Sequence, residues 1–125
     1  MPTFYFAYGS NMSPAQMQRR CPGAQFAGRA ALRDWRLIIM RRGAANIVRE
    51  PGALTHGVLW RFENRHIGLM DLWEGVAHRV YRRIWLQVER PGSGRHGAAS
   101  PESEAATAMT YVCADRWPGH PMPGY

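Results

Sequence analysis

The chain has 125 residues and a mass of 14.2 kDa, which is the size of one folded domain. Its 46% hydrophobic and 11% aromatic residues are enough to form a core, which excludes intrinsic disorder for most of its length. All 16 basic residues are arginine, so the net charge of +7 comes without any lysine. This excludes a Schiff-base lysine, a P-loop lysine and any other catalytic lysine. This charge leaves open either a nucleic-acid partner or an arginine-rich composition with no such role.

The N-terminal residues predict a strand, a turn and a short helix. Residues 3–8 are a short stretch dense in aromatic side chains, which favours a buried first strand. Ser13 followed by Pro14 is typical of an N-cap and a first helical position, so we expect a helix that ends near Arg20. The Gly-Ser-Asn stretch between these two elements predicts a turn.

The middle of the chain predicts short strands separated by turns. Residues 25–40 indicate two strands that turn near Arg33-Asp34, and residues 46–48 indicate a further short strand. Pro51-Gly52 is a strong turn signal. Alternation of apolar and polar side chains is clearest in residues 56–62, which predict another strand.

The second half predicts one helix and two strands. Asn64 is expected to cap a helix that ends near Trp73 or Glu74. About six short strands and two helices indicate an α+β domain whose sheet curls towards a barrel. The last strands are predicted over residues 81–89 and 106–113, with a Gly/Ser/Ala-rich surface loop over residues 91–104.

The segment Tyr8-Gly9-Ser10-Asn11 is the first candidate for a functional site. A turn that leads from a strand into a helix can present several backbone N–H groups to a carboxylate or a developing oxyanion. The alternative is a plain turn in which Gly9 permits positive φ and Asn11 caps the helix. Ser10 is a weak candidate for a nucleophile, because the Gly-x-Ser-x-Gly motif is absent and no histidine lies at a recognisable spacing.

Glu74 is the second candidate. It shares a helix face with Ile67 and Met70, which should pack on the core, so its carboxylate should point the same way. Gly75 is typical of a helix C-cap and would fix the position of Glu74. A carboxylate there is either a desolvated general base or one half of a structural ion pair. Nearby arginines that could form that pair are Arg79, Arg82 and Arg83.

Other side chains of the sequence indicate no further chemistry. The histidines form no metal-binding spacing, so we expect no metal site; they are His56, His66, His78, His96 and His120. Three arginine doublets fall on different elements without a nucleic-acid-binding motif and are interpreted as solvated faces: residues 19–20, 41–42 and 82–83. Cys21 and Cys113 lie far apart and outside any CxxC pair; two free thiols are expected, and one long-range disulfide is the alternative.

Taken in order, these segments resemble the γ-glutamylcyclotransferase (AIG2-like) family, and the resemblance covers essentially the whole chain. The opening signature is Phe-Tyr-Phe-Ala-Tyr-Gly-Ser-Asn-Met at residues 4–12, and the catalytic-helix signature is Leu-Met-Asp-Leu-Trp-Glu-Gly at residues 69–75. The other matching segments are residues 46–48, 51–52, 56–60, 81–83, 110–112 and 121–125.

The resemblance implies a small mixed β-barrel flanked by helices and a reaction without a cofactor. That reaction converts a γ-glutamyl amine or amino acid into 5-oxoproline and the freed amine. It assigns the general base and acid to Glu74, a tyrosine that closes over the substrate to Tyr125, and a place in the cavity wall to Tyr81. The residues that would cradle the substrate are Tyr5, Phe6, Ala7, Tyr8, Gly9 and Ser10, with Asn11 holding the turn.

The resemblance, together with the absence of a signal peptide, an apolar span of membrane length and a nucleic-acid-binding motif, sets expectations for the whole protein. We expect a single domain over residues 1–125 that lacks the helix with which the family's chains continue beyond the closing tyrosine. We expect a cytoplasmic protein with a small γ-glutamyl substrate, without a nucleic-acid or membrane partner, and compatible with a homodimer. Two alternatives stay open: a catalytically silent binding protein that uses the same cleft, and a pathway-specific enzyme that removes a γ-glutamyl protecting group.

Overall fold

The computed structural model describes residues 3–40, 43–78, 80–91 and 103–113. These residues form five β-strands, two α-helices and two short 3-10 turns. The strands are β1 (Thr3–Ala7), β2 (Gln25–Ile39), β3 (Ala45–Phe62), β4 (Tyr81–Pro91) and β5 (Ser103–Cys113). The helices are α1 (Pro14–Arg20) and α2 (Asn64–Trp73), and the 3-10 turns are Ser10–Met12 and Val76–His78. Neither helix of this described part has the length and hydropathy of a membrane span.

The five strands close into a small barrel in the order β1-β3-β2-β4-β5. Neighbouring strands are antiparallel except for β1 and β5, which pair in parallel where Tyr5 lies opposite Met109. Closure pairs both edges of the sheet, which removes the exposed edge strands that an open sheet would have. This mixed barrel with flanking helices confirms the predicted α+β fold class.

The prediction of separate short strands over residues 25–40 and 46–62 is wrong. β2 does not turn back near Arg33-Asp34; Asp34 has a φ of 69°, and the register with β3 shifts between Arg33 and Trp35. Pro51-Gly52 lies within β3 at the same level, where the Gly52 N–H donates a hydrogen bond of 3.0 Å to Asp34 Oδ1. A left-handed residue inside an antiparallel pair makes a bulge that bends both strands and lets the pairing resume beyond it.

The remaining strands are confirmed with adjusted ends. β1 ends at Ala7, one residue earlier than predicted, and β4 continues to Pro91. β5 begins at Ser103 and not at residue 106, because its pairing with β4 continues as far as Ser103 opposite Pro91. Most of the predicted loop, residues 92–102, lies outside the described residues.

Side-chain caps fix where the two helices begin. Ser13 caps α1 as predicted, because its Oγ accepts a hydrogen bond of 3.3 Å from the N–H three residues on. The prediction for α2 is off by one residue, since its N-cap is Glu63 and not Asn64. The Glu63 N–H donates to Nδ1 of the fully buried His66 (2.9 Å), whose Nε2 donates in turn to the Pro22 carbonyl oxygen (2.8 Å). His66 therefore joins the start of α2 to the segment that follows α1.

The core has two clusters of buried side chains on opposite faces of β1. The first fills the barrel and takes residues from all five strands: Phe6, Tyr8, Ala30, Leu32, Ile47, Leu59, Val88, Ala108 and Val112. The second lies between the outer face of β1, β3 and β5 and the two helices: Tyr5, Ala7, Met17, Cys21, Ala24, Trp60, Phe62, Met70, Met109 and Tyr111. Because side chains of a strand alternate between its faces, Tyr5 and Tyr111 point out of the barrel towards the helices.

Candidate active site

A cavity of about 680 Å³ opens where the outer face of the barrel meets the C-terminal ends of α1 and α2. Its volume is within the range of small-molecule sites. Strand residues in its wall are Tyr5, Leu37, Ile39, Ala45, Tyr81 and Tyr111, and Tyr8 follows directly after β1. The helices and connections supply Gly9, Ser10, Asn11, Met12, Arg20, Gly43, Ala44, Trp73, Glu74, Gly75 and Val80.

The buried side-chain amide of Asn11 is the centre of the polar contacts in this cavity. Its Nδ2 donates hydrogen bonds to the Tyr5 hydroxyl (3.0 Å) and to Glu74 Oε1 (3.3 Å). Its Oδ1 accepts a hydrogen bond of 2.9 Å from Arg20 Nη1, and its backbone oxygen accepts one of 3.0 Å from Trp60 Nε1. The amide thus turns its donor group to the carboxylate and its acceptor group to the cation, which fixes its orientation.

Glu74 occupies the C-terminal end of α2 as the sequence predicts. Its N–H donates to the Met70 carbonyl (2.8 Å), and Gly75 follows with a φ of 65° and donates to the Leu72 carbonyl (3.1 Å). A left-handed glycine after the last helical residue ends the helix at a defined point. The Glu74 side chain is 14% exposed, so its carboxylate sits in the cavity wall, largely shielded from bulk water.

The ion pair of Glu74 is formed with an arginine that the sequence analysis did not select. Arg20 Nη1 lies 3.7 Å from Glu74 Oε1, and its guanidinium stacks over the Trp73 ring with 5.2 Å to the ring centroid. Arg83 pairs instead with Asp71 (3.7 Å), and Arg79 lies outside the described residues. The interpretation of residues 19–20 as a solvated pair is wrong for Arg20, whose position at the end of α1 places it over the C-terminal end of α2.

The buried tyrosine hydroxyls around the cavity are not bases. Burial raises the pKa of Tyr5, Tyr8 and Tyr111 above the ordinary tyrosine value, so all three stay protonated at neutral pH. Tyr8 donates to the Tyr111 backbone oxygen (2.5 Å), and Tyr111 donates to Asp71 Oδ1 (2.6 Å). Among the described residues of the cavity wall, Glu74 is the one carboxyl group, and none is histidine or cysteine.

The turn after β1 brings backbone donors to the same cavity. Gly9 and Ser10 line it, and within the described part of the chain their N–H groups donate no hydrogen bond. A side chain at Gly9 would place its Cβ 3.1 Å from the Ala45 Cβ, so glycine permits this close approach of the turn to β3. The Ser10 Oγ accepts a hydrogen bond of 2.7 Å from Gln16 Nε2 and has no histidine beside it in the cavity wall described here.

The structure brings together most of the residues singled out from the sequence. Those in the cavity wall are Tyr5, Tyr8, Gly9, Ser10, Asn11, Glu74 and Tyr81. Phe6 and Ala7 are not in the wall, because they are fully buried in the two core clusters on either side of β1. Tyr81 is held by a hydrogen bond of 3.0 Å from its hydroxyl to the Ala45 carbonyl. Tyr125 lies outside the described residues.

Two parts of the wall were missed by the sequence analysis. Arg20 and Trp73 form one side, and their pairing joins two helices that are far apart in the chain. Leu37 and Ile39 form part of the other side, although the sequence predicts only a strand for this segment. No local motif marks these residues, since each reaches the cavity through tertiary packing.

A second pocket, of about 540 Å³, lies at the opposite end of α2 beside Gly23 and Asn64. Its acidic side chain, Glu63, is exposed and lies 3.5 Å from Arg65.

Among the described residues, no group of three or more histidine, cysteine or acidic side chains is placed to hold a metal ion. Cys21 and Cys113 are free thiols. The first cavity is therefore the candidate active site.

Comparison with known proteins agrees with this architecture. Residues 5–124 match the family model described as "Gamma-glutamyl cyclotransferase, AIG2-like". The mouse protein named gamma-glutamylcyclotransferase is 30% identical over 97% of this chain and 64% of that protein, and the human protein of that name is 28% identical with the same coverage. A solved structure named gamma-glutamyl cyclotransferase superposes with a TM-score of 0.77 at 26% identity, over 92% of this chain and 68% of that one.

The matched region is most of this chain but a part of its relatives. The chain spans 64% of the length of the mouse and human proteins. Within this chain, the family match begins in β1 and includes both the turn after β1 and the end of α2 that carries Glu74. By that match, the chain belongs to the γ-glutamyl cyclotransferase, AIG2-like family.

Proposed function

We propose that this chain is a γ-glutamyl cyclotransferase, which releases 5-oxoproline and a free amine from a γ-glutamyl compound. The observation that carries the proposal is Glu74, a largely buried carboxylate in a cavity whose other described wall residues offer no base. Membership of the family supports the same reaction class. The names of the mouse and human relatives also support it.

The chemistry suits a site with a single proton-transferring group. The substrate supplies its own nucleophile, because its α-amine attacks its γ-carbonyl carbon and closes a five-membered lactam ring. Two protons must leave the attacking nitrogen, and two must reach the departing nitrogen for it to leave as an ammonium ion. Glu74 would accept protons from the first nitrogen and deliver them to the second, which returns it to its starting state.

The turn after β1 would bind the charge on the substrate. The N–H groups of Gly9 and Ser10 would donate to the substrate carboxylate or to the oxyanion of the tetrahedral intermediate. Asn11 would hold Glu74 in place, since its amide already donates to that carboxylate over 3.3 Å. The roles of Tyr81 in lining the substrate site and of Tyr125 in closing it are further parts of this proposal.

A direct assay of the product tests the proposal. The protein is incubated with a panel of γ-glutamyl amino acids, γ-glutamyl amines and glutathione, and 5-oxoproline is measured against an enzyme-free control. Release of 5-oxoproline together with an equal amount of free amine is expected for at least one class of substrate. Tight binding of these compounds without turnover would instead favour a catalytically silent binding protein.

A further inference from the structure

Large apolar side chains are exposed at the mouth of the candidate active site. Ten large hydrophobic residues of the described chain are exposed, and five of them line this cavity. Ile39 and Trp73 are the most open of the five, at 55% and 57% exposed. The other three are Met12, Leu37 and Val80. Isolated exposed apolar residues are ordinary on protein surfaces, but a group around one opening indicates a binding surface.

The local structure directs this group towards the opening. Leu37 and Ile39 are two residues apart on β2 and therefore point to the same side, whereas Ile38 between them is buried on the other side. Trp73 ends α2, and Val80 lies just before β4. Different elements thus contribute to one group of apolar side chains around the opening, which we call the apolar rim: Met12, Leu37, Ile39, Trp73 and Val80.

Polarity changes with depth in the cavity. The deep end holds Tyr5 and Asn11, which are about 4–5% exposed, and Glu74, which is 14% exposed. The outer end is the apolar rim described above. Among the described residues of the wall, the charged ones are Arg20 and Glu74, and these two lie 3.7 Å from each other.

A γ-glutamyl substrate has to lie along this gradient in one direction. Its α-amine must reach Glu74 at the deep end, so its glutamyl part occupies the polar floor. Because the α-amine folds back onto the γ-carbonyl in the reacting conformation, the departing nitrogen also lies near Glu74, and its substituent extends towards the rim. A charged side chain on the departing amine would meet Leu37, Ile39 and Trp73 there, whereas an apolar side chain would remove its own surface and theirs from water.

We propose that the amine released by this site carries an apolar side chain or substituent, as aliphatic and aromatic amino acids and amines do, and that the apolar rim selects it. This inference rests on the proposed cyclotransferase function. One additional methylene in an apolar pocket can change specificity by about 10- to 200-fold, so the rim is large enough to discriminate strongly. We expect kcat/KM to rise with the apolar area of the departing group.

The experiment compares kcat/KM for five substrates: the γ-glutamyl derivatives of glycine, leucine, phenylalanine, lysine and glutamate. The leucine and phenylalanine compounds should exceed the glycine compound by at least about tenfold, and the two charged ones should not exceed it. Equal rates for all five, or a preference for lysine or glutamate, would overturn the inference while leaving the cyclotransferase function intact. Absence of 5-oxoproline from all five, and also from the γ-glutamyl amines and glutathione of the product assay, would contradict the cyclotransferase function itself.

A double variant and a matched control test whether the apolar rim causes the preference for leucine and phenylalanine compounds. L37S/I39S should lower kcat/KM for the leucine compound about tenfold more than it lowers kcat/KM for the glycine compound. Leu54→Ser changes a similarly exposed leucine on β3 outside the cavity wall and should alter neither value. Thermal melting checks that both variants are folded. If L37S/I39S abolishes a dimer seen by light scattering while substrate preference is unchanged, the rim is an interface between copies and the inference is wrong.

Discussion

The side-chain amide of Asn11, in the turn after β1, donates a hydrogen bond of 3.3 Å to Glu74 at the C-terminal end of α2. The same amide accepts a hydrogen bond from Arg20, which itself lies 3.7 Å from the Glu74 carboxylate. These three side chains come from three elements and hold one another in a fixed arrangement. A carboxylate held in this way is already in position to accept a proton from a substrate amine, which is the advantage of preorganisation.

Asn11→Ala tests this arrangement directly. It removes the donor to Glu74 and the acceptor for Arg20, so we expect kcat to fall by about 10- to 100-fold through misplacement of the carboxylate. The buried Tyr5 hydroxyl and Arg20 would each lose a partner, so the free energy of unfolding should fall by about 1–3 kcal/mol. Steady-state kinetics and urea denaturation measure the two effects. Asn64→Ala, at an exposed position, is the control, and equal kinetics for the two variants would contradict this role of Asn11.

Arg20 is predicted to act as a positioning residue. Arg20→Gln removes the cation that contacts Asn11 and Glu74, and kcat should fall about tenfold or more with a smaller change in KM. Arg20→Lys should recover part of the loss, because it keeps the charge but not the planar fork or the stacking on Trp73. Arg19→Gln, at the exposed neighbouring position, should behave as wild type. A rise in KM with unchanged kcat in Arg20→Gln would indicate that Arg20 binds substrate instead.

Replacement of two glycines by alanine should change the free energy of unfolding in opposite directions. At Gly57 a Cβ would lie 2.3 Å from the Ala7 carbonyl oxygen and 2.8 Å from the Phe6 ring, so β1 and β3 would have to separate. Gly57→Ala should therefore lower the free energy of unfolding by about 3 kcal/mol or more. At Gly68, on α2, a Cβ meets no atom within 4 Å. Gly68→Ala should raise stability by about 0.5–1 kcal/mol because alanine favours the helix. Equal effects in urea denaturation would contradict this packing of β1 on β3.

Stability should fall in alkaline solution. Burial raises the pKa of the Cys21 thiol to about 11, against about 8.5 in an unfolded chain. Between these values the unfolded state loses its proton while the folded state keeps it, so the unfolded state is favoured progressively as the pH rises. The raised pKa of the buried Tyr5, Tyr8 and Tyr111 acts in the same direction. We expect Tm to fall from pH 8 to pH 11, and to fall less steeply in Cys21→Ala. A wild-type Tm that stays constant between pH 8 and pH 11 would contradict this prediction.

Features set by neighbouring residues were predicted well from the sequence. Ser13 caps α1, and Gly75 ends α2 just after Glu74, because capping depends on local backbone geometry. The bulge at Asp34 was mistaken for a turn, because a turn and a bulge share the same local signals and differ in whether the strands go on pairing. Arg20 was missed for a related reason, since its contact with Glu74 depends on how the two helices pack on the barrel.

The release of 5-oxoproline by Glu74→Gln decides whether Glu74 is the general base. Glutamine keeps the size of the side chain but cannot accept a proton, so kcat should fall by at least about 100-fold. Glu50→Gln, which changes a glutamate in a surface ion pair with Arg36, is the control and should retain wild-type turnover. Circular dichroism and Tm show whether both variants keep the fold. Turnover by a folded Glu74→Gln variant within a few-fold of the wild-type rate would contradict the assignment of Glu74 as the general base.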